Sequence, residues 1–280
     1  MRSIARRLLS VVMSGLTFLA AIVVICPLLL ILGFLVYQGI SAINVDFFIH
    51  LPKPVGEPGG GVANAIVGSL IMIGLAVCVG LPIGILGGVY LAESRDPRLP
   101  WIVRFIADVL NGVPSIVFGI FAYTIIVLPM RRFSALAGGF ALAVIMLPIV
   151  VRTSEELVRL VPASLHEAAL ALGIPQWKVL LRVVLPTARA GIITGVMVAI
   201  ARVAGETAPL LFTAFGNRFW HQGLDQPIAA LPLQIFAYAI APYDDWHRQA
   251  WAGALVLIGL VFVVSFAARV VTSGRFTGVR

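Results

Sequence analysis

Long apolar runs, interrupted by short charged clusters, set the pattern of this chain of 280 residues. A membrane-crossing helix needs roughly 20 mainly apolar residues. Six runs satisfy that need, at about 14–37, 63–92, 103–129, 134–151, 190–215 and 250–271, the fourth being the shortest. A further apolar stretch, 228–242, is too short to cross and carries Pro232 and Gln234. It is expected at the interface or as a re-entrant element. The run after the basic tail M-R-S-I-A-R-R is too long for a cleaved leader, so it is expected to remain as the first span.

The spans divide the chain into three regions. Residues 1–62 hold an N-terminal tail, the first span and a Pro/Gly-rich loop. Residues 63–271 form the main transmembrane unit, with a long loop at 152–189, and residues 272–280 are a C-terminal tail. The predicted class is therefore all-α: a polytopic membrane protein of six transmembrane helices.

Composition strengthens this picture. Hydrophobic residues make up 60% of the chain and charged residues only 11%, with a mean hydropathy of +1.05, which no ordinary soluble domain of this length shows. The net charge of +8 raises the question of nucleic acid, but its distribution points to membrane orientation instead. Fourteen Arg and Lys residues fall in the N-tail, the 2–3 and 4–5 loops and the C-tail; five fall on the opposite side, and Arg202 lies within a span. The positive-inside rule then places both termini in the cytoplasm. Arg131–Arg132 is the discordant pair, in a short external loop. The 5–6 connection, with Asp225, Asp244, Asp245 and Trp246, is also expected outside. Cys26 and Cys78 sit in apolar runs, and the four histidines are scattered, so neither a disulfide framework nor a metal spacing is present.

The 4–5 loop is not a plain linker. Ser164 is placed to cap a short helix holding Glu167, Ala168 and Ala169, and Gly173 and Pro175 stop it. A second helical piece, Gln176–Leu185, is expected to end at Pro186. On periodicity alone this is a surface helix capping the bundle. The spacing adds something more specific. Glu167-Ala168-Ala169, three residues, Gly173, nine residues, Val183, one residue and Leu185-Pro186 resembles the signature of ABC-importer permeases, with Val183 in place of the usual isoleucine. The resemblance implies that the short helix docks into a cytoplasmic ATPase. Glu167 would then accept donors, the alanines allow close approach, and Gly173 makes the tight turn behind the helix.

The fifth span contains A-R-V-A-G-E-T-A-P, a charged turn in an apolar setting. An Arg or Glu at the centre of a membrane helix costs about 2.5–3.5 kcal/mol, so both need compensation. Arg202 and Glu206 are four apart and can pair on one helix face, which is the structural reading. The functional reading rests on the neighbours. Pro209 removes the N–H that would bond the Gly205 carbonyl, Gly205 leaves space, and Thr207 adds a hydroxyl. Such irregular backbone belongs beside protein or a watery cavity, not lipid. A guanidinium fork fits a tetrahedral oxyanion, and a nearby carboxylate suits one that still carries a proton. Phosphate has such a proton at neutral pH and sulfate has none. The pattern permits phosphate without demanding it.

The stretch A-R-V-A-G-E-T-A-P-L-L-F-T-A closely resembles the span-five segment of the PstA-type permeases of the phosphate-specific ABC importer. L-N-G-V-P-S-I-V-F-G at 110–119 and L-P-L-Q-I-F at 231–236 resemble two further segments of that family, so the likeness covers about 62–270. It implies the type I ABC-importer permease (MetI-like) fold in a bacterial plasma membrane. It also implies four kinds of partner: a second, PstC-type permease subunit, a PstB-type cytoplasmic ATPase dimer, a PstS-type extracytoplasmic phosphate-binding protein, and the lipid bilayer. Arg202, Glu206, Thr207 and Gly205 would line the substrate path. The chain has no G-x-x-x-x-G-K-[ST] loop, so ATP would be hydrolysed by the partner and no cofactor is expected here. The rival reading is a gradient-driven anion transporter or channel with Glu206 as proton site. It leaves the Glu167–Pro186 pattern without a purpose. A membrane enzyme is less supported still, since no nucleophile–base pair stands out.

Overall fold

A computed structural model describes residues 2–54, 57, 59–94 and 96–273. Residues 274–280, most of the expected C-tail with Arg275 and Arg280, lie outside the described residues, as does Arg95. The described chain is helical, with a single isolated β-bridge between Phe215 and Ile228.

Helix α1 (Arg2–Gly39) continues through a 3₁₀ turn (Ile40–Ala42) to a short α2 (Val45–Ile49), which Asn44 caps by accepting the Phe47 N–H. α3 spans Ala63–Glu93. α4 (Arg98–Gly112) and α5 (Ser115–Met130) follow, then α6 (Ala135–Arg159), α7 (Ala163–Ala171) and α8 (Gln176–Ala204). The chain closes with two short helices, α9 (Ala208–Leu211) and α10 (Leu231–Ala239), and the long α11 (Asp244–Ser273).

Five of these helices are long and apolar enough to cross a membrane: α1, α3, α6, α8 and α11. The third expected span, 103–129, is not one straight helix. It is the pair α4–α5, bent by 104°, and it makes a sixth crossing only when the pair is counted together. Pro114 explains the bend. It has no N–H to continue the ladder and forces Val113 into an extended conformation (ψ 133°).

α3 and α6 form the centre. Gly80, Gly84 and Gly88 make a stripe on α3 that lets α6 approach closely: a Cβ on Gly84 would stand 2.7 Å from the Val150 side chain, and one on Gly88 2.5 Å from the Val151 carbonyl oxygen. α6 is the most enclosed span. Its free N-terminal donors are met by Ser134, whose hydroxyl accepts from Ala137, and by the Gln226 and Leu224 carbonyls, which accept from Ala135 and Leu136. α1 leans on α11, where Phe34 and Trp251 meet edge to face at 5.3 Å.

Stretch 228–242 supplies α10, nine residues or roughly 13 Å long, too short to cross. Its entry is buried: the Leu231 N–H donates to Ser69 Oγ at 2.8 Å, and Gly68 lies so close to the Ala229 carbonyl that a Cβ has no room.

Three boundaries differ from the sequence expectation. α6 runs on from 151 to Arg159 and α8 begins at Gln176, so the loop between them shrinks to 160–175. Pro186 does not break α8: a π turn over Leu180–Val184 widens the ladder just ahead of it, as another over Tyr123–Val127 does ahead of Pro129. The span expected at 190–215 ends early, at Ala204.

Candidate functional site

Two sequence-marked regions sit at different heights of the bundle. The first is the ionic turn. α8 stops at Ala204 because Gly205 favours helix weakly and Pro209, four residues on, has no N–H for the Gly205 carbonyl. The last turn tightens: the Gly205 N–H donates to Arg202 and the Glu206 N–H to Val203, at 3.3 and 3.2 Å. Among the described residues, the carbonyls of Gly205 and Glu206 accept no backbone hydrogen bond. The open carbonyl expected at Gly205 is present, but at a helix end and not inside a helix.

This turn has two different faces. Val203, Ala204, Pro209 and Leu210 are buried, and Val203, Ala204 and Leu210 line a narrow crevice with Met72, Ile73 and Leu142. On the other face Arg202 and Gly205 are exposed, and Glu206 and Thr207 are half-buried. The Arg202 side chain keeps 52% of its accessibility and Glu206 only 14%. Their closest approach, Nη2 to Oε1, is 3.9 Å, beyond hydrogen-bonding range. The pair attracts without locking, and the guanidinium donors remain available.

Helix α5 holds the turn from the side. A Cβ on Gly119 would stand 2.6 Å from Pro209 Cα, so only glycine lets α5 reach α9. The 110–119 segment therefore has two structural jobs: Pro114 makes the bend and Gly119 makes the contact. Gly205 differs, since an added Cβ finds its nearest atom at 3.8 Å. We expect Gly205→Ala to keep wild-type amounts of folded protein, judged by its elution from a sizing column in detergent. A collapse in yield would show that the turn is tighter than this geometry allows.

The second region is α7. Its start is set by Pro162, not by Ser164, which lies inside the first turn without capping. Glu167 and Ala168 are exposed, whereas Ala169 is buried against this chain. Gly173 adopts φ +73°, the left-handed conformation that glycine tolerates best, and ends the helix. Around it Leu172, between α7 and α8, and Trp177, in the first turn of α8, stand 80% and 60% exposed. Behind α7 a cleft of about 430 Å³ is lined by Glu93, Arg159, His166, Glu167 and Gln176.

Sequence reading missed Glu155. It is 1% exposed and meets three arginines: Arg104 Nε at 2.5 Å, Arg152 Nη1 at 2.9 Å and Arg159 Nη2 at 3.1 Å. Asp108 pairs with Arg152 of α6, at 3.1 Å. The run R-T-S-E-E-L-V-R carried the signal, because its charges fall at helical spacing; reading 152–189 as loop hid it. Arg132 of the discordant external pair bonds Asp225 at 2.7 Å. Among the described residues, no group of three His, Cys, Asp or Glu is placed to hold a metal.

Comparison with known proteins adds an independent view. Residues 84–275 match the family model described as "Binding-protein-dependent transport system inner membrane component". The chain is 49% identical to "Phosphate transport system permease protein PstA" of Xylella fastidiosa (strain Temecula1), over 84% of this chain and 82% of that protein. It is 44% identical to the protein of that name from Pasteurella multocida, over 95% of each. Among solved structures, an inward-facing form of the MetNI methionine ABC transporter aligns with a TM-score of 0.61 at 19% identity, over 76% of this chain and 94% of that one. This last likeness speaks for the fold alone.

Proposed function

The chain belongs to the family of binding-protein-dependent transport system inner membrane components, and from that premise we propose that it is one of two permease subunits forming the inorganic phosphate pathway of an ABC importer. An importer of this family works with a second permease, an ATPase and a binding protein. The names of the relatives favour phosphate as cargo and PstC-, PstB- and PstS-type proteins as those partners. Both termini and α7 face the cytoplasm in this reading, in line with the fourteen-to-five bias of basic residues.

One observation carries the proposal: a break in a membrane helix that exposes an arginine whose donors are unspent. An exposed arginine at membrane depth is too costly to face lipid, so it faces a watery path or a partner. Arg202 supplies a planar fork for paired phosphate oxygens. Glu206, shielded and 3.9 Å away, accepts a hydrogen bond from the O–H that phosphate retains, and Thr207 and the open Gly205 carbonyl complete a polar lining. α7 receives force from the ATPase, with Glu167 and Ala168 at the contact, Ala169 seating the helix on its own chain and Gly173 setting its exit. ATP is hydrolysed by the partner, and this chain gates the path.

The test is selectivity. In vesicles holding the whole complex, sulfate should compete poorly with phosphate, because Glu206 repels an anion without a proton. Glu206→Gln should improve sulfate competition by about tenfold relative to phosphate. Unchanged selectivity would remove Glu206 from the path.

A further inference from the structure

Buried charges at the α7 end of the bundle do more than close it. Glu155 ties three helices. It lies on α6, accepts Arg104 of α4, and shares Arg104 and Arg159 with the Leu91 carbonyl near the end of α3, at 3.2 and 3.3 Å. The Arg152–Asp108 pair, at 3.1 Å, makes a second tie between α6 and α4.

The three helices are not joined in the same way. α3 and α6 meet backbone to backbone along the glycine stripe and hold together without charge. α4 buries only Pro100 and Ala107 fully, and turns Trp101, Phe105 and Val109 outward. Its grip on α6 therefore combines a thin apolar contact, Ala107 and the partly buried Leu110, with the ion pairs. α4 leads through the Pro114 bend into α5, and α5 bears on α9 where Gly119 meets Pro209, immediately after the ionic turn. At the other end, α6 passes into α7 through residues 160–162 alone.

We propose that Glu155 is a positioning residue that makes α4 and α5 follow α6 when α7 is pushed, so that force on α7, which α8 carries directly to Arg202, also reaches the Pro209 side of the Arg202–Glu206 turn. This rests on the importer reading above. The physical content is one contiguous chain of packed or ion-paired contacts, α7 to α6, Glu155 to Arg104, α4 to α5, and Gly119 to Pro209. Cutting the charged link leaves α7 docked and the ATPase turning over, while α8 still moves and the Pro209 side of the turn no longer follows it.

The experiment uses the complete complex in vesicles, with phosphate uptake and ATP hydrolysis both measured per assembled complex. Glu155→Gln should lower uptake by about tenfold and change hydrolysis by less than about twofold. Arg104→Gln should do the same, and the double variant should be no worse than either single one, because both remove one link. Asp108→Asn leaves the buried charges intact. It should shift the ratio of uptake to hydrolysis in the same direction by a smaller amount, which keeps the test open if Glu155→Gln fails to assemble. Uptake and hydrolysis falling together, losses that multiply in the double variant, or an unchanged ratio in the assembled variants would overturn the role of Glu155. A wild-type complex without ATP-driven uptake would instead overturn the importer reading itself.

Discussion

Arg202→Ala is expected to lower phosphate uptake by about 100-fold or more while the complex still assembles. The size follows from chemistry. A bidentate, charge-assisted contact in a shielded site is worth about 2–5 kcal/mol when one partner is removed, and each 1.4 kcal/mol is a factor of ten. Assembly survives because Arg202 is half-exposed and stands 3.9 Å from Glu206, so little of the fold depends on it. Arg202→Lys should recover only part of the loss, since an ammonium is a point charge without the planar fork. The check is uptake of labelled phosphate together with the amount of assembled complex. Near-normal uptake by Arg202→Ala would mean that the exposed guanidinium meets lipid headgroups or a partner and not cargo.

Gly173→Val is the second large effect, with uptake expected to fall by about tenfold or more. At φ +73° a β-branched residue carries a penalty of about 1–3 kcal/mol. No atom lies within 4 Å of the added Cβ, so the penalty is purely conformational. The chain relieves it by re-angling Ile174 and Pro175, which tilts α7 and the exposed Leu172 at its end relative to α8 and away from the ATPase. Gly173→Asn should retain more activity, because asparagine visits the left-handed region more readily. The readout is uptake alongside the fraction of ATPase that stays bound to the permease in detergent. Both values unchanged for the valine variant would mean that this turn does not set the docking angle.

Much of the fold was legible because lipid imposes length and apolarity on a helix, and both can be counted. α3 begins at Ala63, where the apolar run begins, and 228–242 is too short to cross in either view. Helix ends were harder, since they depend on partners that local sequence does not name. Charged residues 152–159 read as loop, yet they continue α6 because Glu155 finds three arginines, one of them on α4. Pro186 reads as a break, yet a π turn absorbs it, whereas Pro114 turns the chain by 104°. Of the marked site residues, Arg202, Gly205, Glu206 and Thr207 do sit together on one turn, as their spacing required. The single helix face expected for Arg202 and Glu206 is not formed, because the helix ends at Ala204 and Glu206 lies beyond it. Ala169 turns towards its own chain while Ala168 faces out, a distinction that three adjacent small or acidic residues could not reveal.

The most direct measurement is labelled phosphate uptake into vesicles holding this chain with its second permease and ATPase, with loaded binding protein outside. The account predicts uptake that requires ATP hydrolysis, persists when proton and sodium gradients are collapsed, and disappears when the ATPase is left out. Uptake by this chain alone, driven by a gradient and indifferent to ATP, would contradict it.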